Sequence, residues 1–236
     1  MRRYPQPEVG MKLEHVVFLG ATAATVVGAV TENEKLQLAA KPLIGPALAA
    51  RVLRRRGNID RLDTGLLLGS LAAATVGDVF MIDPDDDARL QAGARSFAVM
   101  QLGYSAVLAR RGARPTAPAL VPRVLGWLGA AGLLRARAKS VAPTLTAYGA
   151  VLATTSTLSA DPALAPGARV VAGTAVPNAD PRSRLALGGI LFTGSDAMIV
   201  VRRLFVRGHT GRRVAEAAIL ASYAGAQALL VEGMTE

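Results

Sequence analysis

Two aspartates interrupt long apolar runs of this sequence. Asp78 comes near the end of the run TGLLLGSLAAATVGDVF, and Asp196 lies inside LALGGILFTGSDAMIVV. A carboxylate among hydrocarbon costs several kcal/mol unless it is protonated, paired or in a wet cavity, so such residues usually face the interior of a bundle. Carboxyl groups in that setting transfer protons, either as the acids and bases of an enzyme or as the relays of a pump. Asp78 and Asp196 are therefore the candidate reactive groups.

Other reactive groups are scarce. The chain has no cysteine, which excludes thiol catalysis, disulfides and thiolate metal sites. Its two histidines, His15 and His209, come at the start of an apolar stretch and in a basic loop, so we predict that both are interfacial and that no metal is bound. A GxSxG motif, which would indicate a serine nucleophile, does not occur. The carboxylates remain the best candidates for chemistry.

The elements that position these groups are long apolar stretches. The chain of 236 residues is 51% hydrophobic, and its charges are gathered between uncharged stretches of about 18 to 21 residues. At a rise of 1.5 Å per residue, such stretches can cross a hydrocarbon core of roughly 30 Å. We therefore predict an all-α, polytopic membrane helix bundle, a single integral membrane domain with about eight transmembrane helices. The predicted spans are 13–30, 36–53, 64–82, 90–108, 117–134, 141–158, 185–205 and 214–231. Arg95 and Arg123 interrupt the fourth and fifth spans, and threonines thin out the sixth.

The net charge of +10 does not indicate nucleic-acid binding. The arginines fall in short clusters between spans, as the positive-inside rule leads one to expect, and neither a recognition motif nor an aromatic-interleaved basic patch occurs. The lipid bilayer is thus the predicted partner, and a bacterial inner membrane the predicted location. The acidic loops TENE and DPDDD favour cytoplasmic termini, whereas the basic stretch from Arg202 favours the opposite orientation.

A lysine is expected to lie near one of the aspartates. Lys41 precedes Pro42 in the second span, where the proline removes an amide donor and bends the helix. Because consecutive spans run antiparallel, Lys41 and Asp78 fall on the same side of the bilayer, and Asp196 falls within reach of both. The alternative is that Lys41 reaches toward the nearer headgroups and that Asp78 is an interfacial carboxylate.

Polar side chains on other spans form stripes that could line the same cavity. Their helical spacing places each group on one face of its helix. The groups are Gln101 with Tyr104, Glu216 with Tyr223 and Gln227, and Thr144 with Tyr148 and Thr155. The alternative role of any one stripe is hydrogen bonding between helices.

Five short motifs occur in order along the chain. They are KPL, GDVF, GxxxF followed by QLGY, GGILFTGSDAMIVVRRLF, and YAGAQALL. In this order they resemble the YhhN family of lysoplasmalogenases, over most of the chain. Gln101 departs from the family pattern, which usually has a histidine three residues before the tyrosine that stands here as Tyr104.

The resemblance implies hydrolysis of the vinyl ether bond of a lysophospholipid substrate, a lysoplasmalogen, to a fatty aldehyde and a glycerophospho-alcohol. Such a reaction needs a proton donor and a stabilising anion, which two carboxylates in different surroundings can divide between them. Our hypothesis is that Asp196, expected to lie deeper in the bundle, is the general acid and that Asp78, held ionised by Lys41, is the anion. The two roles could be exchanged. Tyr104, Tyr223 and Gln227 would position the water or the glycerol, and no cofactor is required.

Two other functions remain open on the sequence. A transporter or a lipid-binding protein could use Lys41, Asp78 and Asp196 as a proton relay or a substrate site. Paired inverted halves with matched broken helices, which many carriers have, are not evident, since adjacent prolines occur in the second span alone. An inactive family member is the other alternative, because Gln101 replaces the family histidine.

Overall fold

The computed structural model describes residues 12–236 and is a bundle of α-helices with one small hairpin. Three turns of 3-10 helix join or precede the longer elements, at Lys41–Leu43, Pro162–Leu164 and Pro181–Arg184. The helices are α1 (Leu13–Val30), α2 (Glu34–Ala40), α3 (Ile44–Arg54), α4 (Arg61–Phe80), α5 (Asp87–Arg110), α6 (Ala117–Arg137), α7 (Ala142–Ser159), α8 (Leu185–Phe205) and α9 (His209–Gly233).

Helical structure occupies all eight predicted spans, and the predicted class, an all-α membrane bundle, is confirmed. By length and composition, five helical segments of the described chain are able to cross a membrane. They are Leu13–Val30, Arg61–Phe80, Ala117–Arg137, Pro181–Phe205 and His209–Gly233. The protein is therefore a multi-pass membrane protein.

The second span is broken at its proline, as predicted. α2 ends at Ala40, a 3-10 turn covers Lys41–Leu43, and α3 begins at Ile44. Pro42 has no amide hydrogen to continue the α-helical pattern, so the chain tightens into a 3-10 turn. The break places Lys41, which is 3% exposed, inside the bundle rather than at a headgroup, so the alternative of an outward-reaching lysine is wrong.

Small residues allow the helices to approach closely. An added Cβ at Gly45 of α3 would lie 2.1 Å from the Thr75 hydroxyl of α4, and one at Gly103 of α5 would lie 2.0 Å from the Ser70 hydroxyl of the same helix α4. In a bilayer there is no hydrophobic force between helices, so van der Waals contact between such surfaces contributes much of the association. α4 consequently packs tightly against α3 on one side and against α5 on the other.

Each end of the bundle carries a set of ion pairs. At the end where α4 stops and α5 starts, which we name the Asp85 end, Asp85 accepts hydrogen bonds from Arg202 and Arg212. At the opposite end, the Glu232 end, the Glu232 carboxylate pairs with Arg51 at 3.0 Å and with Arg184 at 3.2 Å. These pairs tie loops to helices that are distant in sequence.

The long connection between α7 and α8 contains a two-stranded antiparallel hairpin. Its strands are β1 (Val170–Val171) and β2 (Thr174–Ala175). The turn uses Gly173 at φ +73°, a conformation that favours glycine. A Cβ at Gly173 would lie 2.5 Å from the Cβ of Pro118, so the turn packs directly on the start of α6.

Candidate functional site

Asp78 lies on the buried face of α4. It continues the series Leu67, Leu71 and Ala74, whose helical spacing faces the core, and its side chain is 1% exposed. One carboxylate oxygen, Oδ2, accepts a hydrogen bond from the Tyr223 hydroxyl at 3.0 Å. The other oxygen, Oδ1, has no hydrogen-bond partner among residues 12–236. The carboxyl group is therefore held on one side and free on the other.

A chain of buried hydrogen bonds supports Tyr223. The Tyr104 hydroxyl donates to Oε1 of Gln227 at 2.7 Å, and Nε2 of Gln227 donates to the Tyr223 hydroxyl at 3.2 Å. Phe97 and Phe192 pack edge-on against the Tyr223 ring, with centroids at 5.6 and 5.5 Å. Together these contacts hold the Tyr223 hydroxyl on Asp78.

The structure thus separates the residues predicted to contact substrate. Tyr223 lies at the cavity that contains Asp78, whereas Tyr104 and Gln227 lie behind Tyr223 and are 0% and 1% exposed. Neither of these two is among the residues that line the cavities described below. From this position Tyr104 and Gln227 can hold Tyr223 in place, but they do not reach a substrate in either cavity.

Asp196 lies in the middle of α8 and accepts a short hydrogen bond from the Tyr148 hydroxyl of α7. Its side chain is only partly buried, and it borders a large cavity. Asp196 lies near the middle of α8 and Asp78 near the end of α4, so the greater depth of Asp196 along the bundle stays a prediction, although Asp78 is the less exposed of the two. Asp78 lies against Tyr223 of α9 at a small cavity, whereas Asp196 also borders the large one.

Lys41, Asp78 and Asp196 meet at one small cavity, as the antiparallel arrangement predicted. The cavity has a volume of about 30 Å³, enough for a water molecule. Lys41 Nζ donates to the carbonyl oxygen of Met81 at 2.8 Å, and within the described residues no ion pair joins Lys41 to Asp78. Lys41 thus lies at the cavity without direct contact with the carboxylate.

Two more charged residues line this small cavity. They are Glu216 of α9 and Arg202 of α8, which pair with each other at 3.1 Å. Arg202 also bonds Asp85 in the loop between α4 and α5. Charged groups therefore extend from the small cavity to the Asp85 end of the bundle.

A much larger cavity, which we name the groove, opens on the other side of Asp196. Its volume is about 670 Å³, and it lies among α5, α6, α7 and α8. Most of its lining is apolar, with Leu134, Leu145 and Ile190 as examples. The groove and the small cavity share Phe97, Asp196 and a few neighbouring residues. Asp196 is thus the carboxyl group that stands between an apolar space and a polar one.

Sequence reasoning missed the contact between Tyr148 and Asp196. The spacing of Thr144, Tyr148 and Thr155 indicated a polar face of α7 but not which member reaches a carboxylate. In the structure Thr144 donates to Gln91 at 2.9 Å and Thr155 to the carbonyl of Gln101 at 3.0 Å, so these two serve as links between helices. Helical spacing alone does not distinguish the two roles.

The histidines do not converge. His15 is near the start of α1 with Arg51 at 3.5 Å, and His209 begins α9 and pairs with Glu32 at 2.8 Å. Within residues 12–236, no group of three or more histidine, cysteine, aspartate or glutamate side chains is arranged to hold a metal ion.

A comparison with protein families gives a match to the YhhN family over residues 36–234. The chain belongs to the YhhN family. The match of this YhhN protein includes every residue of the site, from Lys41 to Gln227, so the resemblance seen in its motifs is confirmed. No curated protein and no solved structure matches the chain.

Proposed function

We propose that this YhhN protein is a hydrolase of the cell membrane that cleaves the vinyl ether bond of lysoplasmalogen-type lipids. The observation that carries the proposal is the position of Asp196, between a groove large enough for a lipid chain and a small cavity large enough for water. Both reactants, an apolar alkenyl chain and a water molecule, can approach one carboxyl group from opposite sides.

The reaction would begin with proton transfer from the Asp196 carboxyl group to the distal carbon of the vinyl ether. The double bond shifts toward the ether oxygen, and an oxocarbenium ion forms. Asp78, in the small cavity, stabilises this cation and accepts a proton as water adds to the carbon bound to the ether oxygen. The resulting hemiacetal collapses to a fatty aldehyde as Asp78 gives its proton to the departing glycerol oxygen and Asp196 accepts the proton of the hemiacetal hydroxyl, which restores both carboxyl groups. Tyr148 and Tyr223 orient the two carboxyl groups through the hydrogen bonds described above.

The glutamine in place of the family histidine is compatible with this proposal. Gln101 is fully buried and is not among the residues that line the groove or the small cavity. The hydrogen bonds that Asp78 and Asp196 receive come from Tyr223 and Tyr148 and not from position 101. The inactive-member alternative predicts that the wild type releases no aldehyde.

The test is aldehyde release from a vinyl ether lysolipid by the purified protein in lipid nanodiscs. Because positioned acids and bases contribute about 100- to 10,000-fold to a rate, we expect Asp196→Asn and Asp78→Asn to lose at least about 100-fold in turnover. Asp83→Asn, an exposed position in the loop at the Asp85 end, is the matched control and should keep its turnover. Unchanged rates in both site variants, with an active wild type, would contradict the mechanism.

A second function is favoured by the charged residues between the small cavity and the Asp85 end. Arg202 and Glu216 link the cavity of Lys41 and Asp78 to the loop residue Asp85, an arrangement that suits a proton relay of a transporter. Proton-driven uptake of a lysolipid into proteoliposomes without aldehyde release would support the transporter. Aldehyde release that stops in Asp196→Asn would support the hydrolase.

A further inference from the structure

Arg123 is a cationic side chain inside a helix that is apolar enough to cross a membrane. It is the seventh residue of α6, about 9 Å along the axis from the first residue, and it lines the groove. Its Nε donates to the Ser156 hydroxyl of α7 at 2.8 Å, and its Nη1 donates to the carbonyl of Ala119 at 2.7 Å. These two bonds fix the guanidinium on the wall of the groove.

The charge of Arg123 has no counterion within the part of the chain that the structure describes. Other arginines in the bundle have one, since Arg51 pairs with Glu232 at 3.0 Å and Arg202 with Glu216 at 3.1 Å. A guanidinium carries five N–H donors, so the two bonds above leave three for a ligand. An unpaired charge at membrane depth is a candidate functional group, and the planar guanidinium matches the oxygens of a phosphate.

The distance from Arg123 to the carboxyl group can be followed along two helices. The Ser156 hydroxyl donates to the carbonyl of Gly189 at 3.2 Å, so this level of the groove corresponds to Gly189 on α8. Asp196 lies seven residues further along α8, about 10 Å along the axis. On α7, Tyr148 lies eight residues before Ser156, about 12 Å along the axis. Both helices therefore place the Asp196 carboxyl group roughly 10 Å, measured along the bundle axis, from the position of the Arg123 guanidinium.

That separation matches a glycerophospholipid with one chain. Seven bonds join the distal vinyl carbon to phosphorus through the ether oxygen, the three glycerol carbons and the phosphoester oxygen. Three successive bonds of an extended chain span about 3.8 Å, so seven span about 9 Å. A phosphate at Arg123 would therefore put the vinyl ether beside Asp196. The groove beyond Asp196 is lined by Leu134, Leu145 and other apolar side chains suited to the tail.

We infer that Arg123, oriented by Ser156, binds the phosphate of a single-chain ether lipid whose tail lies along the groove past Asp196. This inference rests on the proposed function for the identity of the lipid. Arg123 is a specificity-determining residue in this arrangement, because it favours lipids that have a phosphate at the correct distance from the ether. A glycerol ether that lacks the phosphate would fill the same apolar part of the groove without that contact.

Binding of two unreactive lipids to the intact protein in nanodiscs tests the inference. The probes are a saturated hexadecyl ether of glycerophosphocholine and the hexadecyl ether of glycerol, which differ in the phosphate headgroup. Charge-assisted hydrogen bonds contribute enough that Arg123→Ala should weaken binding of the phospholipid by about 10- to 100-fold. Binding of the glycerol ether should stay unchanged, which also shows that the groove remains folded. Arg95→Ala, an exposed arginine of α5 outside the groove, is the matched control.

The ratio of the two affinities decides the outcome. An unchanged ratio in Arg123→Ala would overturn the inference, and so would an equal loss of both ligands, because Arg123 is assigned to the phosphate alone. Hexadecanoate that competes as well as the phospholipid would assign the site to a carboxylate instead, and would also overturn it. Failure of the hydrolase proposal would give a different result. The wild type would then release no aldehyde from a vinyl ether, but it would still bind the phospholipid more tightly than the glycerol ether.

Discussion

Two tyrosines of the buried hydrogen-bond chain provide a sharp comparison. Tyr223→Phe removes the one hydrogen bond that Asp78 receives at Oδ2, together with the bond that the Tyr223 hydroxyl accepts from Gln227, whereas Tyr104→Phe removes only a bond between two neutral groups, Tyr104 and Gln227. Both hydroxyls are buried, at 6% and 0% exposure of the residues, so the chemical change is matched. A hydrogen bond to a charged group contributes about 1.5 to 3 kcal/mol, and a neutral one between membrane helices averages about 0.6 kcal/mol.

These magnitudes predict different losses of activity. Because about 1.4 kcal/mol corresponds to a factor of ten, Tyr223→Phe should lower kcat/KM by about 10- to 100-fold and Tyr104→Phe by about 3-fold. The free energy of unfolding should fall more in Tyr223→Phe than in Tyr104→Phe as well. Aldehyde release and thermal unfolding in one detergent measure both quantities. Equal losses of activity in the two variants would refute the view that the chain of bonds acts through Asp78.

Two further predictions concern packing and charge. Gly103→Ala should lower the free energy of unfolding by about 1 to 3 kcal/mol, because its Cβ would meet the Ser70 hydroxyl. A second change, Ser70→Ala, should restore most of the loss, because it removes that oxygen. Thermal unfolding of the single and double variants measures the recovery, and the absence of any recovery would count against the close contact. Asp85→Asn should lower the thermal unfolding temperature at pH 7 but not at strongly acidic pH. The control variant Asp83→Asn should leave the unfolding temperature unchanged at both pH values. Burial opposes the charge of Asp85, but hydrogen bonds and charges from two arginines outweigh this effect and lower the pKa of the carboxyl below its usual value. The ionised Asp85 therefore stabilises the folded protein above the unfolded-state pKa, and this stabilisation disappears as the pH falls through the folded-state pKa. An Asp85→Asn penalty that persists at acidic pH would contradict this explanation.

Much of the fold follows from local properties of the sequence. Apolar stretches of the correct length predict the long helices, and Pro42 predicts the break that puts Lys41 inside the bundle. The charged residues of α5 and the threonines of α7 explain why these two helices fall outside the five segments that qualify to cross a membrane by length and composition. Each of these features depends on residues that are close in sequence, so each could be predicted without knowledge of the packing.

The site could be predicted only in part. Alternation of direction between consecutive spans was enough to bring Lys41, Asp78 and Asp196 to one cavity. The difference in exposure between the two aspartates was not predictable, because exposure depends on which side chains and cavities surround each position. The partner of Lys41 was also not predictable, since the side chain reaches a carbonyl of the turn after α4 rather than the carboxylate.

The sequence by itself determined the candidate reactive groups and roughly how far along its helix each one lies, because composition and helical rise are local quantities. Only the tertiary structure decided which side chains meet. Tyr148 reaches Asp196 across α7 and α8, and Arg123 faces the groove without a carboxylate, because helix rotation and lateral packing are set by contacts between residues far apart in the chain. Those contacts place Asp78 at the small cavity alone and Asp196 between the small cavity and the groove.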